Sequence, residues 1–266
     1  MSKPLPVFRR ALRESWRGLI GWTLGVAAVL FMYLPLFPSI GGNGQMQQII
    51  ESLPPELVNA LGYDQIGTGA GYAQGTFYGL IGFLLLTIAS IGWGAGAIAG
   101  AEESSRLELD LAHGIGRVPY ALEMAAAMLV RLVWLGLFAA VVVLALNDSA
   151  ELEIEATRIL DATVVFVGVT MLAGSLALFV GALTGRRGRG VAAGAGIAVV
   201  GYAFNAIANQ VEDAEWLRFL SPYSWAFHQP PLLDGFDPVG CIALWGCTAV
   251  LIAGTAVVLR GRDIVG

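Results

Sequence analysis

Lysine is almost missing from this chain of 266 residues, where Lys3 is the single one. A phosphate-cradling loop of the form G-x-x-x-x-G-K-[ST] therefore cannot exist in it, and any nucleotide chemistry has to come from another polypeptide. Cysteine is nearly as scarce. Cys241 and Cys247 stand in one apolar run, about 9 Å apart along a helix, too far to pair within it. With His113 and His228 as the only histidines and no zinc-type cysteine spacing, the sequence offers no metal set and no catalytic constellation. Charge is thin as well: 13% of residues are ionisable acids or bases, against about a quarter in soluble domains. With 56% hydrophobic residues and a mean hydropathy of +0.71, this is the composition of an integral membrane protein. The formal charge of −5 carries little information until the charges are placed by side of the membrane.

Six apolar runs stand in place of these features, each near the ~20 residues a helix needs to cross hydrocarbon. They fall near 18–37, 75–98, 122–146, 161–183, 191–210 and 239–259, so the chain reads as one all-α membrane domain, 1–266, with six transmembrane helices. Putting both ends inside places Lys3, Arg9, Arg10, Arg13, Arg17, Arg106, Arg117, Arg186, Arg187, Arg189, Arg260 and Arg262 on inner segments. Only Arg158 and Arg218 are then outside. Basic residues collect on the cytoplasmic side, so this count predicts an N-in/C-in topology. Ahead of the first run, Phe8, Leu12 and Trp16 share one stripe while Arg9, Arg10, Arg13 and Arg17 fall largely elsewhere, the pattern of an amphipathic N-terminal interfacial helix. A signal peptide is the competing reading, but the apolar run is too long for one and no small-x-small site follows Pro38.

Several features within the spans bear on function. Glycines at 75 and 79, and at 92, 96 and 100, recur every four residues and predict close helix contact. Arg131 lies inside the third run, where the default is to snorkel; pairing with Glu123 or a neighbouring subunit, or facing a wet cavity, are the alternatives. Asn205 and Asn209, one turn apart in the fifth run, either line a pathway or hydrogen-bond between helices. Between the spans, residues 39–74 carry helical spacings at Met46, Ile49, Ile50 and Leu53, with a second start at Pro54-Pro55-Glu56 followed by Leu57 and Leu61. Asp148, Glu151, Glu153 and Glu155 make the 147–160 loop a solvated outer face. The Arg186-Arg187-Gly-Arg189 turn is a basic inner loop with no implication of nucleic acid. Residues 211–239 are aromatic and amphipathic, as suits short outer helices at the interface.

The longest charged stretch between two apolar runs is AEESSRLELDLAHGIGRVPY, residues 101–120. Ser104 and Ser105 can cap a short helix, Glu102 and Glu103 suit its electropositive start, and Leu107 and Leu111 share a face. Gly114 and Gly116 permit a tight turn before Pro119 opens the next helix. A polar helix and turn at a membrane surface predict a soluble partner. The stretch resembles the E-E-x-G-T-L-E-L-L-L-A-x-P-V-S-R motif of ABC-2 type permeases, the membrane subunits of ATP-driven exporters. Glu102, Glu103, Leu107, Glu108, Leu109, Leu111, Ala112 and Arg117 match without a gap, and Ile115 stands for the valine. Ser105 and Arg106 replace Gly-Thr, Asp110 replaces a leucine, and Gly114 and Gly116 replace the proline and serine. Ser221-Pro222-Tyr223 and the Leu233-Asp234-Gly235-Phe236 run look like the outer re-entrant region of the same permeases.

The resemblance implies that Glu102, Glu103, Arg106, Leu107, Glu108, Leu109, Leu111 and Arg117 form a cytoplasmic coupling helix between spans two and three, gripped by a separate ABC ATPase. It implies ATP and Mg in that partner and no cofactor in this chain. A second permease subunit, the same or homologous, is implied too, in a multi-pass bacterial plasma membrane protein. The cargo is expected to be a lipophilic or amphipathic drug, antibiotic or lipid, since the spans hold few fixed charges. Two other classes compete. An intramembrane metalloprotease is suggested by Glu102-Glu103 with Arg106, but the E-E-x-x-x-R spacing fails at Leu107 and the two histidines fall on opposite sides. A passive scaffold or channel fits the composition and leaves the motif unexplained.

Overall fold

The computed structural model describes residues 5–40 and 67–262. Lys3 and the helical spacings from Met46 to Leu61 lie outside these residues. Among the described residues there is no strand, and six helices are long and apolar enough to cross a membrane.

The first helix, α1, covers Pro6–Tyr33 without a break. The expected separation of an interfacial helix from a first span at residue 18 is not seen, because no proline interrupts the chain between Pro6 and Pro35. Pro35 ends the regular turn in a short 3-10 segment, Leu34–Leu36. The second span, α2, is Gly69–Ala97, started by Thr68, whose hydroxyl accepts from Gly71 N at 3.0 Å. Its stretch Gln74–Ile81 is π-helical. Two short helices follow, α3 at Ala99–Glu103 and α4 at Arg106–Ala112. The remaining spans are α5, Arg117–Leu146, α6, Ala156–Thr184, and α7, Arg187–Gln210. A 3-10 segment, Glu212–Leu220, and two short helices, α8 at Pro222–Phe227 and α9 at Pro231–Asp234, lead to the last span, α10, at Pro238–Gly261.

The bundle is built around α6. Within its most apolar stretch 78% of residues are buried, against 17% for α1, and α2, α5, α7 and α10 all pack on it. An apolar solvent gives no hydrophobic drive for helix association, so close approach and dispersion have to supply it. Glycine makes the approach possible: a Cβ at Gly94 of α2 would collide with the Gly174 carbonyl of α6, and one at Gly174 with the Ser90 hydroxyl. On α7, a Cβ at Gly190 would lie 2.6 Å from the Ala177 carbonyl. The predicted glycines divide: a Cβ at Gly79 would lie 3.0 Å from the Tyr223 hydroxyl, whereas Gly92 and Gly96 have nothing within 4 Å of a built Cβ and Gly100 meets Arg187 Cδ at 3.6 Å and Ala95 O at 3.9 Å, so the 92, 96 and 100 stripe faces away from the packed seam.

The end of the bundle opposite α4 is closed by α8 and α9. Ser221 caps α8 by accepting from Ser224 N at 3.0 Å and donates to Gly201 O at 2.6 Å. The Tyr223 hydroxyl donates to Gly79 O at 2.7 Å, inside the π-helical stretch, and its ring lies against Phe83, Tyr202 and Phe227. Leu232 N donates to the buried Gln74 side chain at 3.4 Å. The 147–160 loop joins this closure. Asn147 bonds Ile154 through both ends of its amide, and Ala150, Leu152 and Ile154 are buried, while Glu151, Glu153 and Glu155 point outward. Its acids are solvated as expected, but its apolar residues belong to the core.

These contacts separate Gly94 from Gly92, its neighbour two residues away in the predicted stripe. Gly94→Ala should cost about 1–3 kcal/mol through overpacking, whereas Gly92→Ala should be neutral or gain up to about 1 kcal/mol from helix propensity. Thermal unfolding of the two detergent-purified variants tests this, and equal midpoints would contradict the seam drawn between α2 and α6.

Candidate coupling surface

The segment between α2 and α5 is a bent pair of short helices. Ser105 sits between them at φ 55°, a left-handed conformation, and Ser104 returns its hydroxyl to Gly100 O at 2.8 Å. The predicted serine cap is therefore not made: a capping residue needs extended dihedrals, and the hydroxyl of Ser104 is spent on the preceding turn. Gly114, at φ 84°, provides the predicted turn into α5.

α4 has two unlike faces. Leu107 is completely buried, in a cluster that includes Val7, Ile98, Tyr120, Leu178 and Leu259, with Leu111 and Ile115 packed against it. One turn on, buried Asp110 takes both nitrogens of the Arg10 guanidinium from α1. The opposite face carries Arg106, Leu109, Ala112 and His113, all exposed, with Leu109 at 60%. Glu108 lies between the faces, half-buried. The exposed leucine is flanked by an arginine and a histidine at a charged end of the bundle.

Ionic contacts tie α3 and α4 to the spans around them. Glu102 accepts both nitrogens of Arg262, at 2.6 and 2.9 Å, and Arg262 also donates to Ala182 O at 2.8 Å. Glu103 accepts from Arg187 N, at the start of α7, at 2.8 Å. Arg117 donates to the carbonyls of Arg262 and Arg260 at 2.8 and 3.3 Å. Arg106 lies 3.6 Å from Glu14 of α1. The bent pair is thus fastened to α1, α6, α7 and α10.

Of the residues singled out in the spans, Arg131 does not snorkel. It is 7% exposed, donates to Ala11 O of α1 at 2.7 Å and lies over the Trp93 ring at 5.4 Å. Glu123 is occupied elsewhere, accepting from Phe8 N at 2.8 Å and so satisfying one orphan donor of α1. Asn205 accepts from Ser224 Oγ at 2.9 Å, and Asn209 from Arg218 Nη2 at 3.5 Å, so both fasten the segment after α7 to that helix. The sequence reading missed Arg10, Asp110, Arg187 and Arg262. A signal existed for one of them: Asp110 departs from the motif at a leucine position, and an acid placed among apolar neighbours needs a base. Among the described residues no group of three or more His, Cys, Asp or Glu could hold a metal ion.

The Glu102–Arg262 contact is partly buried on both sides, with side-chain exposures of 13% and 24%. A double-mutant cycle of Glu102→Ala and Arg262→Ala should return a coupling of about 1–2 kcal/mol, read from unfolding in detergent. Strict additivity would show that the contact contributes nothing.

The family profile described as ABC-2 family transporter protein matches residues 5–264. No curated protein matches the chain. A profile spanning nearly the whole chain, over six membrane-length helices with a bent pair of short helices after the second, leads to one conclusion: the chain belongs to the ABC-2 family of transporter membrane proteins.

Proposed function

We propose that the chain is the permease subunit of an ATP-driven exporter, with α3 and α4 as its contact with a separate cytoplasmic ABC ATPase. The single observation that carries this reading is the division of labour within α4, where Leu107 is buried in its own chain and Leu109, two residues on, is exposed. Buried Leu107 anchors the segment and is unavailable to a partner, so the expected contact set contracts to Leu109, Arg106 and neighbouring exposed residues. Glu102, Glu103 and Arg117, together with the Asp110–Arg10 pair, act as ties to the spans.

ATP and Mg belong to the ATPase in this reading, since no lysine-bearing phosphate loop exists in the chain. Closure of two ATPase subunits on ATP would displace α4. The displacement would reach α1 through Arg10 and α10 through Arg262. Coupling of this kind requires that the partner contact α4 differently in its two states. The assembly would contain a second permease subunit, the same or homologous, in a bacterial plasma membrane with the α4 end inside. The largely apolar spans favour a lipophilic or amphipathic cargo.

The test uses two leucines of opposite placement. Leu109→Asp should leave insertion and thermal stability unchanged while reducing co-purification of the ATPase about tenfold or more, as removal of an interface anchor does. Leu107→Asp should instead destabilise the chain itself, because it buries a charge without a partner. Full retention of the ATPase and of its stimulated hydrolysis by Leu109→Asp would remove α4 from the contact.

A further inference from the structure

A cavity of about 270 Å³ opens between the first turns of α1, the α2–α3 junction, α4 and the start of α7. Gly96 and Gly100 line it, and the built Cβ position at Gly96 has nothing within 4 Å, so the space exists because side chains are missing there. Three arginines line it as well, Arg10, Arg106 and Arg187, against two carboxylates, Glu14 and Asp110. Both acids are already answered: Asp110 by the paired nitrogens of Arg10, and Glu14 by Arg10 at 3.9 Å and Arg106 at 3.6 Å. The Arg187 guanidinium takes part in no ion pair among the described residues, and Arg106 makes only its long contact to Glu14 and a 3.4 Å bond to Ser104.

We infer that this cavity binds a phosphate-bearing anion, with the headgroup of an anionic phospholipid as its occupant and Arg106 and Arg187 as its ligands. Two planar forks with unused donors at one cavity suit the oxygens of a phosphate, the anion that lipid headgroups present at a membrane surface. The surroundings favour a lipid source. Arg9, Arg13 and Arg17, all exposed on the same turns of α1, add positive charge of the kind that draws anionic lipid to a membrane surface. A free phosphate shares the headgroup chemistry but is not held at that surface.

The full chain, purified in a neutral detergent, is titrated with short-chain phosphatidylglycerol, with phosphatidylcholine and with inorganic phosphate, and binding is read by native mass spectrometry. Phosphatidylglycerol should bind at least about tenfold tighter than phosphatidylcholine, and the R106Q/R187Q variant should lose roughly thirtyfold of that affinity. Gly96→Leu should cause a comparable loss without altering charge, because its side chain fills the cavity; an unchanged melting point verifies that the fold persists. Inorganic phosphate competing at the affinity of the lipid would support the anion site with a soluble occupant, and failure to compete supports the lipid. Equal binding of the two lipids, or unchanged binding in both variants, would each overturn the inference. Because no ATPase enters the lipid titrations, their outcome is independent of the coupling reading.

Discussion

The architecture depends on how closely α2 and α6 approach. Two helices in an apolar solvent gain nothing from hiding apolar surface, so their contact has to come from dispersion at short range and from polar groups with no better partner. Gly94 against Gly174 brings the two backbones together, and α6 then has enough surface left to receive α5, α7 and α10. The peripheral position of α1 follows from this arrangement. It reaches the bundle mainly along α5, and most of its surface remains available to lipid.

Polar contacts gather at the two ends, where the bundle meets the headgroup layers. Neutral hydrogen bonds from Ser221, Tyr223 and Asn205 hold the α8 end, whereas bidentate ionic contacts hold the α4 end. Charged pairs are stronger than neutral ones when partly shielded from water, yet they remain exchangeable, since each partner can be re-solvated at the surface. If the α4 end moves with an ATPase as proposed, such contacts suit it, and an end that closes over the bundle is suited to buried hydroxyls and stacked rings.

Much of this was legible in the sequence, and the gaps have physical causes. The six spans could be read because hydrocarbon thickness imposes a length and a composition on any helix that crosses it. The α4 segment stood out because charged residues between apolar runs are rare. The faces of α4 were only half legible: Leu107 and Leu111 were placed together, but nothing in a repeat of leucines says that Leu107 is covered by its own chain and Leu109 is not. The glycine pattern marked the close approach at Gly79 but misled over 92, 96 and 100 for a similar reason. Spacing of four marks a potential face, and Gly94, outside the repeat, is the residue against which α6 is set. The 147–160 loop hid its core residues because Leu152 and Ile154 alternate with acids, and the net charge of the segment conceals that alternation. The ionic partners were beyond reach, since Arg10 and Asp110, or Glu102 and Arg262, are joined only by folding.

The π-helical stretch of α2 has a consequence for how this span can be compared or altered. A π-helical segment carries the equivalent of an inserted residue, and one residue of α-helix corresponds to a rotation of about 100°. The turn at Gly69–Ala73 is therefore out of phase with Gly82–Ala97, and no single periodicity describes the whole span. Deleting one residue between Gln74 and Ile81 would restore an uninterrupted helix and swing Ala70, Tyr72 and Ala73 out of the core while leaving Gly82–Ala97 in register. Among relatives, a length difference of one residue in this stretch would thus be a change of azimuth rather than a change of loop.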